Sequence, residues 1–121
     1  MSKLTGVVVD DDADIVELYS EFLEMKGISV VGKAHNGCMA SDIYKKTNPD
    51  FIVIDIKMPE YDGAYAIKEI KKINPNANIF VVSGFSTYDN LEREVTAVMT
   101  KPCDLRKLYD HIKKSVSDYT V

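Results

Sequence analysis

Four aspartates in this chain of 121 residues stand where carboxylates can act together. Asp10, Asp11 and Asp12 follow the apolar run Gly6–Val9, and Asp55 follows the apolar run Phe51–Ile54. Carboxylates brought close together cannot all stay ionised and unpaired without a large cost, so a proton or a hard cation must sit among them. A site made only of oxygens, with one side open to water, suits Mg2+, which keeps several waters and commonly takes a phosphate oxygen. One aspartate would be enough to cap a following helix. Three in succession, opposite a fourth, point instead to metal. Two more chemically capable groups follow apolar runs: Ser83 after Ile79–Val82, and Lys101 after Ala97–Met99 and Thr100.

These groups can meet only if the runs that precede them are neighbouring strands. Five runs qualify: Gly6–Val9, Ile28–Val31, Phe51–Ile54, Ile79–Val82 and Ala97–Met99. They are continuous rather than alternating, as in strands buried on both faces of a parallel sheet, and they are rich in Val and Ile. Helical stripes lie between them. Ile15, Leu18, Tyr19, Phe22 and Leu23 form the first, with Asp14 and Glu17 as a capping signal and Gly27 as a stop. Ala40, Ile43, Tyr44 and Thr47 form the second, closed by Asn48-Pro49. Ala66, Ile67, Ile70 and Ile73 form the third, closed by Asn74-Pro75. Leu91 and Val95 support a short fourth helix over Thr87–Glu94. Leu105, Leu108, Tyr109, Ile112 and Val116 form the last, with Asp104 placed to cap it.

Five strand–helix units predict a single domain over residues 1–121: an α/β, doubly wound, three-layer (βα)5 fold of flavodoxin-like type. The expected order of its five-stranded parallel sheet is 2-1-3-4-5, with the switch point between strands 1 and 3. Ligands bind beyond the carboxyl ends of strands at such a switch. Strands about 4.8 Å apart would bring Asp10, Asp11 and Asp55 together there.

Composition excludes several classes. Hydrophobic residues make up 45% and charged residues 28% of the chain, an ordinary globular balance. No apolar run is long enough to span a membrane, and no secretory leader pattern follows Met1. Nineteen acidic against 15 basic residues give a net charge of −4, which offers no general attraction for nucleic acid or anionic lipid. The first strand is followed by no Gly-x-Gly-x-x-Gly or Walker-type loop, so a nucleotide cradle is missing. Cys38 and Cys103 are too few and too far apart in sequence for a disulfide framework. His35 and Cys38 have ligand-like spacing but no second pair, so they read as a loop histidine and a helix-start thiol. The expected compartment is the cytoplasm.

Taken together, Val-Val-Asp-Asp at 8–11, Pro-Asp-Phe-Ile-Val-Ile-Asp-Ile-Lys-Met-Pro at 49–59, Asp-Gly at 62–63, Val-Ser-Gly at 82–84 and Lys-Pro at 101–102 resemble the receiver domains of two-component response regulators. Each motif alone is weak, but five in order at successive strand ends are specific. The resemblance implies that Asp55 accepts a phosphoryl group from a histidine kinase or histidine phosphotransfer protein. It implies that Mg2+ is held by Asp10, Asp11 (directly), Asp55 and the backbone carbonyl of Lys57. Ser83 would donate its hydroxyl to the phosphoryl group and Lys101 would pair with it, across a cis Lys101-Pro102 bond.

On this footing the chain is a phosphorylation-controlled signalling module of a phosphorelay. It would catalyse only its own aspartyl phosphorylation and dephosphorylation, and signal in trans to a downstream protein as a monomer or weak dimer. Two alternatives compete. One is a degenerate receiver serving as an unphosphorylated scaffold. The other is an aspartyl-nucleophile phosphatase, against which Lys57 stands where such enzymes carry a second aspartate. The chain also departs from the family it resembles. Only 101 − 83 = 18 positions separate Ser83 from Lys101, and Val98 replaces a common switch aromatic. Phe85 and Lys57 occupy positions that tune access of water. A short fourth helix, and a switch centred on Ser83–Thr87 without an aromatic rotamer change, are therefore expected.

Overall fold

The computed structural model describes residues 3–84 and 95–116. In chain order its elements are β1 (Thr5–Val9), α1 (Ala13–Met25), β2 (Ser29–Ala34), α2 (Gly37–Thr47), β3 (Phe51–Asp55), α3 (Gly63–Ile73), β4 (Ile79–Ser83), β5 (Ala97–Thr100) and α4 (Leu105–Val116). The strands form one parallel sheet in the order β2-β1-β3-β4-β5, as the alternation of runs and stripes predicts. The expected helix over Thr87–Glu94, the position of Phe85 and most of the Ser83–Thr87 loop lie outside the described residues.

Successive strand residues point to opposite faces, which splits the continuous apolar runs into two cores. Val7, Val9, Ile52, Ile54, Ile79 and Val81 pack with Ala40 and Tyr44 of α2 and with Ala66, Ile67 and Ile70 of α3. Val8, Phe51, Val53, Phe80 and Val82 pack on the other face with Val16, Tyr19 and Leu23 of α1 and with Leu108, Ile112 and Val116 of α4. Phe51 and Phe80 meet edge to face across neighbouring strands, with ring centroids 6.0 Å apart. Three layers result, with every central strand covered on both sides.

Four local expectations are corrected. β2 runs to Ala34 rather than ending at Val31, because Gly32 and Lys33 continue the ladder with Val7 and Val8. An edge strand pairs with only one neighbour, so an exposed lysine is tolerated on it. Asp12, not Asp14, caps α1: its Oδ1 accepts the Asp14 backbone N–H at 2.9 Å. Leu18 and Ile73 belong to the apolar stripes by spacing, but they are 52% and 44% exposed. Each sits at the margin of a stripe wider than the sheet can cover. The other helix-end signals among the described residues hold. Asn48 ends α2 in the left-handed conformation, and the Asp104 side chain accepts the backbone N–H of Arg106 at the start of α4.

Candidate functional site

Hydrogen-bonded pairing sets the site. β1 and β3 are neighbours, with Val9 opposite Ile54, so the residues that follow them converge beyond their carboxyl ends. Asp10, Asp11 and Asp55 each place a carboxylate oxygen within 4.8 Å of the others. Among the described residues this is the acidic group able to hold an ion. Asp10 and Asp55 are buried, at 3% and 5% exposure, while Asp11 faces solvent.

The charges are partly compensated from β5. Register places Thr100 beside Ser83, and the Lys101 N–H donates to the Ser83 carbonyl at 2.8 Å. From that anchor the Lys101 ammonium donates to Asp10 Oδ2 at 3.0 Å and to Asp55 Oδ2 at 3.3 Å. The Lys101-Pro102 bond is cis, as expected. Burial alone would lower the Lys101 pKa, but its bonds to Asp10 and Asp55 outweigh that and raise it above the ordinary lysine value.

The carboxyls divide by environment. Burial pushes Asp55 above the ordinary aspartate value. The adjacent charge of Asp10 adds to this, while Lys101 and a backbone hydrogen bond from Lys57 oppose it. Asp11 is also raised, first by desolvation, then by its hydrogen bond with Asp10 and the Asp10 charge. Asp10 spends one oxygen on the Asp12 N–H at 2.9 Å and the other on Lys101. Asp11, solvent-facing, is the carboxylate best placed to meet a cation directly.

The β3–α3 loop shapes the far wall. Ile56 and Met58 are buried and turn Lys57 outward, which aims the Lys57 backbone at Asp55. The loop closes where the Gly63 N–H donates to the Ile56 carbonyl at 2.8 Å. The Asp62 side chain caps α3 through the Tyr65 N–H. Gly37 at the start of α2 donates to the Tyr61 carbonyl, and a Cβ there would collide with the Asp62 carbonyl oxygen. Only glycine fits between the two loops.

All the residues singled out from sequence in the described part lie at this end of the sheet. Asp10, Asp11, Asp55 and Lys101 meet directly. Lys57 contributes its backbone. Ser83 is buried at the end of β4, beside Lys101. His35 is indeed a loop residue, with Nδ1 3.1 Å from the Asp10 carbonyl oxygen, and Cys38 opens α2. Val98 faces the α2/α3 core from β5. Two contacts lie outside the motifs, and sequence alone reads Tyr61 and Tyr65 only as packing or surface residues. Cys103 packs against the apolar cluster that holds Tyr19, a proximity invisible at a separation of 84 positions (103 − 19). Tyr61 of the β3–α3 loop and Tyr65 of α3 meet with ring centroids 4.9 Å apart and planes tilted by 49°. Their spacing of four residues was the available signal.

Fold and site together define a class: a flavodoxin-like sheet carrying an acidic, cation-ready pocket with a lysine across its switch point. The chain belongs to the response regulator receiver domain family, whose family model matches residues 7–113. It is 32% identical over 115 residues to the chemotaxis protein CheY of Bacillus subtilis, covering 92% of this chain and 96% of that one. It is 30% identical over 112 residues to sporulation initiation phosphotransferase F of the same organism, covering 89% and 90%. In structure it resembles a CheY-like receiver domain protein from Methanospirillum hungatei, with a TM-score of 0.89 at 24% identity over 97% of this chain and 96% of that one. It is thus a receiver domain of the two-component type. No helix among the described residues is long and apolar enough to cross a membrane.

Proposed function

We propose that Asp55 accepts a phosphoryl group from a histidine kinase or histidine phosphotransfer protein, and that the phosphorylated chain signals to a downstream protein in trans. The observation that carries this is the placement of Asp55: buried at a strand end, 3.3 Å from the Lys101 ammonium and within 4.8 Å of the Asp10 and Asp11 oxygens.

The chemistry follows from the groups present. An Asp55 carboxylate oxygen bonds to phosphorus while the bond from phosphorus to the donor's imidazole nitrogen breaks, and the leaving imidazole keeps the electron pair. Charge then builds on the equatorial oxygens. Lys101 turns from Asp55 toward one of them, and Ser83 donates its hydroxyl to another. The donor set, three carboxylates with one solvent-facing side, fits Mg2+. Asp10, Asp11, Asp55 and the Lys57 carbonyl would hold that ion, which supplies charge neutralisation for the phosphoryl oxygens. The chain acts on no other substrate in this reading, and hydrolysis of its own acyl phosphate resets it. The free cysteines and acidic balance suit a cytoplasmic protein, a monomer or weak dimer with no affinity for nucleic acid.

Incubation with a small phosphodonor and Mg2+, followed by intact-mass measurement, tests the assignment. Wild type should acquire one base-labile phosphate and Asp55→Asn none. Labelling of the Asn variant at the wild-type level would sink it. Release of phosphate with no adduct would favour the phosphatase alternative, and an inert wild type the scaffold.

A further inference from the structure

Both peptide groups that flank the Cα of Asp10 are held from the end of β2. Val9 pairs with Ala34 in the sheet, and the Asp10 N–H extends that pairing by donating to the Ala34 carbonyl at 3.2 Å. On the other side, the Asp10 carbonyl oxygen lies 3.1 Å from Nδ1 of His35. A carbonyl has no proton to give, so Nδ1 carries the proton and donates it, in the neutral ring and the charged one alike.

The His35 bond reaches the cation site through the main chain. A peptide is planar, so the Asp10 carbonyl and the Asp11 nitrogen turn as one body. Holding that oxygen therefore sets the direction in which the chain enters Asp11. The Asp10 side chain is already committed to the Asp12 N–H and to Lys101. Asp11 is exposed, so where its carboxylate points depends on its backbone. His35 does not itself belong to the acidic group able to hold an ion.

The residues after His35 tie the same segment to the opposite wall. Asn36 caps α2 by accepting the Met39 N–H at 2.9 Å. The Gly37 N–H donates to the Tyr61 carbonyl in the β3–α3 loop, which also carries Lys57. Residues 34–37 thus form a brace between the loop of Asp10 and Asp11 and the loop that follows Asp55.

A ligand group held in place beforehand need not be ordered when its ion arrives, and displacements of about 1 Å are enough to spoil a working geometry. We propose that His35 is a positioning residue of the cation site: its Nδ1–H holds the Asp10–Asp11 peptide against the end of β2, so that Asp11 is aimed before the ion binds. This rests on the reading of the pocket as an Mg2+ site.

The experiment titrates the full chain with Mg2+ alone, followed by backbone amide NMR shifts, for wild type, His35→Ala and His35→Asn. His35 is exposed, so neither substitution opens a cavity, and urea midpoints without Mg2+ check that both variants fold. His35→Ala should raise the Kd for Mg2+ by about 3- to 10-fold, the equivalent of one hydrogen bond. It should also shift the Asp11 amide nitrogen before any ion is added. His35→Asn carries an N–H donor on the atom equivalent to Nδ1, and should keep the wild-type Kd and the wild-type Asp11 shift. A Kd for His35→Ala equal to that of wild type, or one raised as far in His35→Asn, would overturn the role of His35 and leave the cation site standing. A wild type that binds no Mg2+ would overturn the cation site, and the role of His35 with it.

Discussion

The carbonyl oxygen of Asp55 lies 2.4 Å from where a Cβ on Gly63 would stand. The strand that ends in Asp55 and the helix that follows it therefore touch backbone to backbone at the site. The obstacle is main chain, not the far end of a flexible side chain, so it cannot move aside cheaply. Gly63→Ala should cost about 1–3 kcal/mol of stability, read as a lower urea midpoint at unchanged slope. A midpoint within error of wild type would show that the loop relaxes without resistance.

Asp11 and Asp12 are sequence neighbours with separate tasks, and metal titration should separate them. Asp12→Ala removes the α1 cap and should cost about 1 kcal/mol, yet leave the stabilisation by Mg2+ intact. Asp11→Ala should leave α1 capped and lose most of that stabilisation, which for the intact site reaches about 2.7 kcal/mol at a hundredfold excess over Kd. Thermal melts with and without Mg2+ read both effects. Equal Mg2+ responses in the two variants would contradict the division.

Burial holds the Asp55 carboxyl above the ordinary aspartate value of 3.8 in the folded chain. A raised folded pKa means that the fold binds more protons than the unfolded chain between 3.8 and the folded value. The stabilising contribution is then full below 3.8 and is lost as pH rises through the folded pKa. Asp55→Asn lacks that loss. Urea unfolding without divalent cations should therefore show the variant gaining stability relative to wild type between pH 3.5 and pH 7. A relative loss over that interval would reverse the sign assigned to Asp55.

Both cysteines are free. Cys38 follows β2 and Cys103 follows β5, at opposite edges of the sheet. Four strand spacings place them about 19 Å apart, well beyond disulfide reach. Thiol titration of denatured, unreduced protein should find two. In the native state Cys103 should react more slowly than a small free thiol at pH 8. Burial raises its pKa above the ordinary thiol value. A fast-reacting Cys103 would show that burial does not hold its thiol protonated.

The sequence determined the architecture and the acidic end of the site. The continuous runs at Gly6–Val9, Phe51–Ile54 and Ile79–Val82 required a sheet covered on both faces, and the stripes between them required parallel crossovers. Once that order stood, Asp10, Asp11 and Asp55 had to converge, because each stands at or just past the end of its strand and strand pairing carries position from one to the next. Asp104 and Asn48 declared helix ends by residue type alone. What lay beyond local pattern was decided by packing. Spacing put Leu18 and Ile73 on apolar stripes, but only the breadth of the sheet determined that they would stay exposed. That Lys101 bridges Asp10 and Asp55, across 91 and 46 positions, depends on the rotamer of a long side chain. That Lys26 lies over both Phe22 and Tyr109 depends on how closely α1 and α4 settle on one face. The fit of Gly63 against the Asp55 carbonyl depends on a loop whose length sequence shows and whose path it does not. A period of two or 3.6 residues records which face a side chain takes; which partner it finds there is set when the layers close.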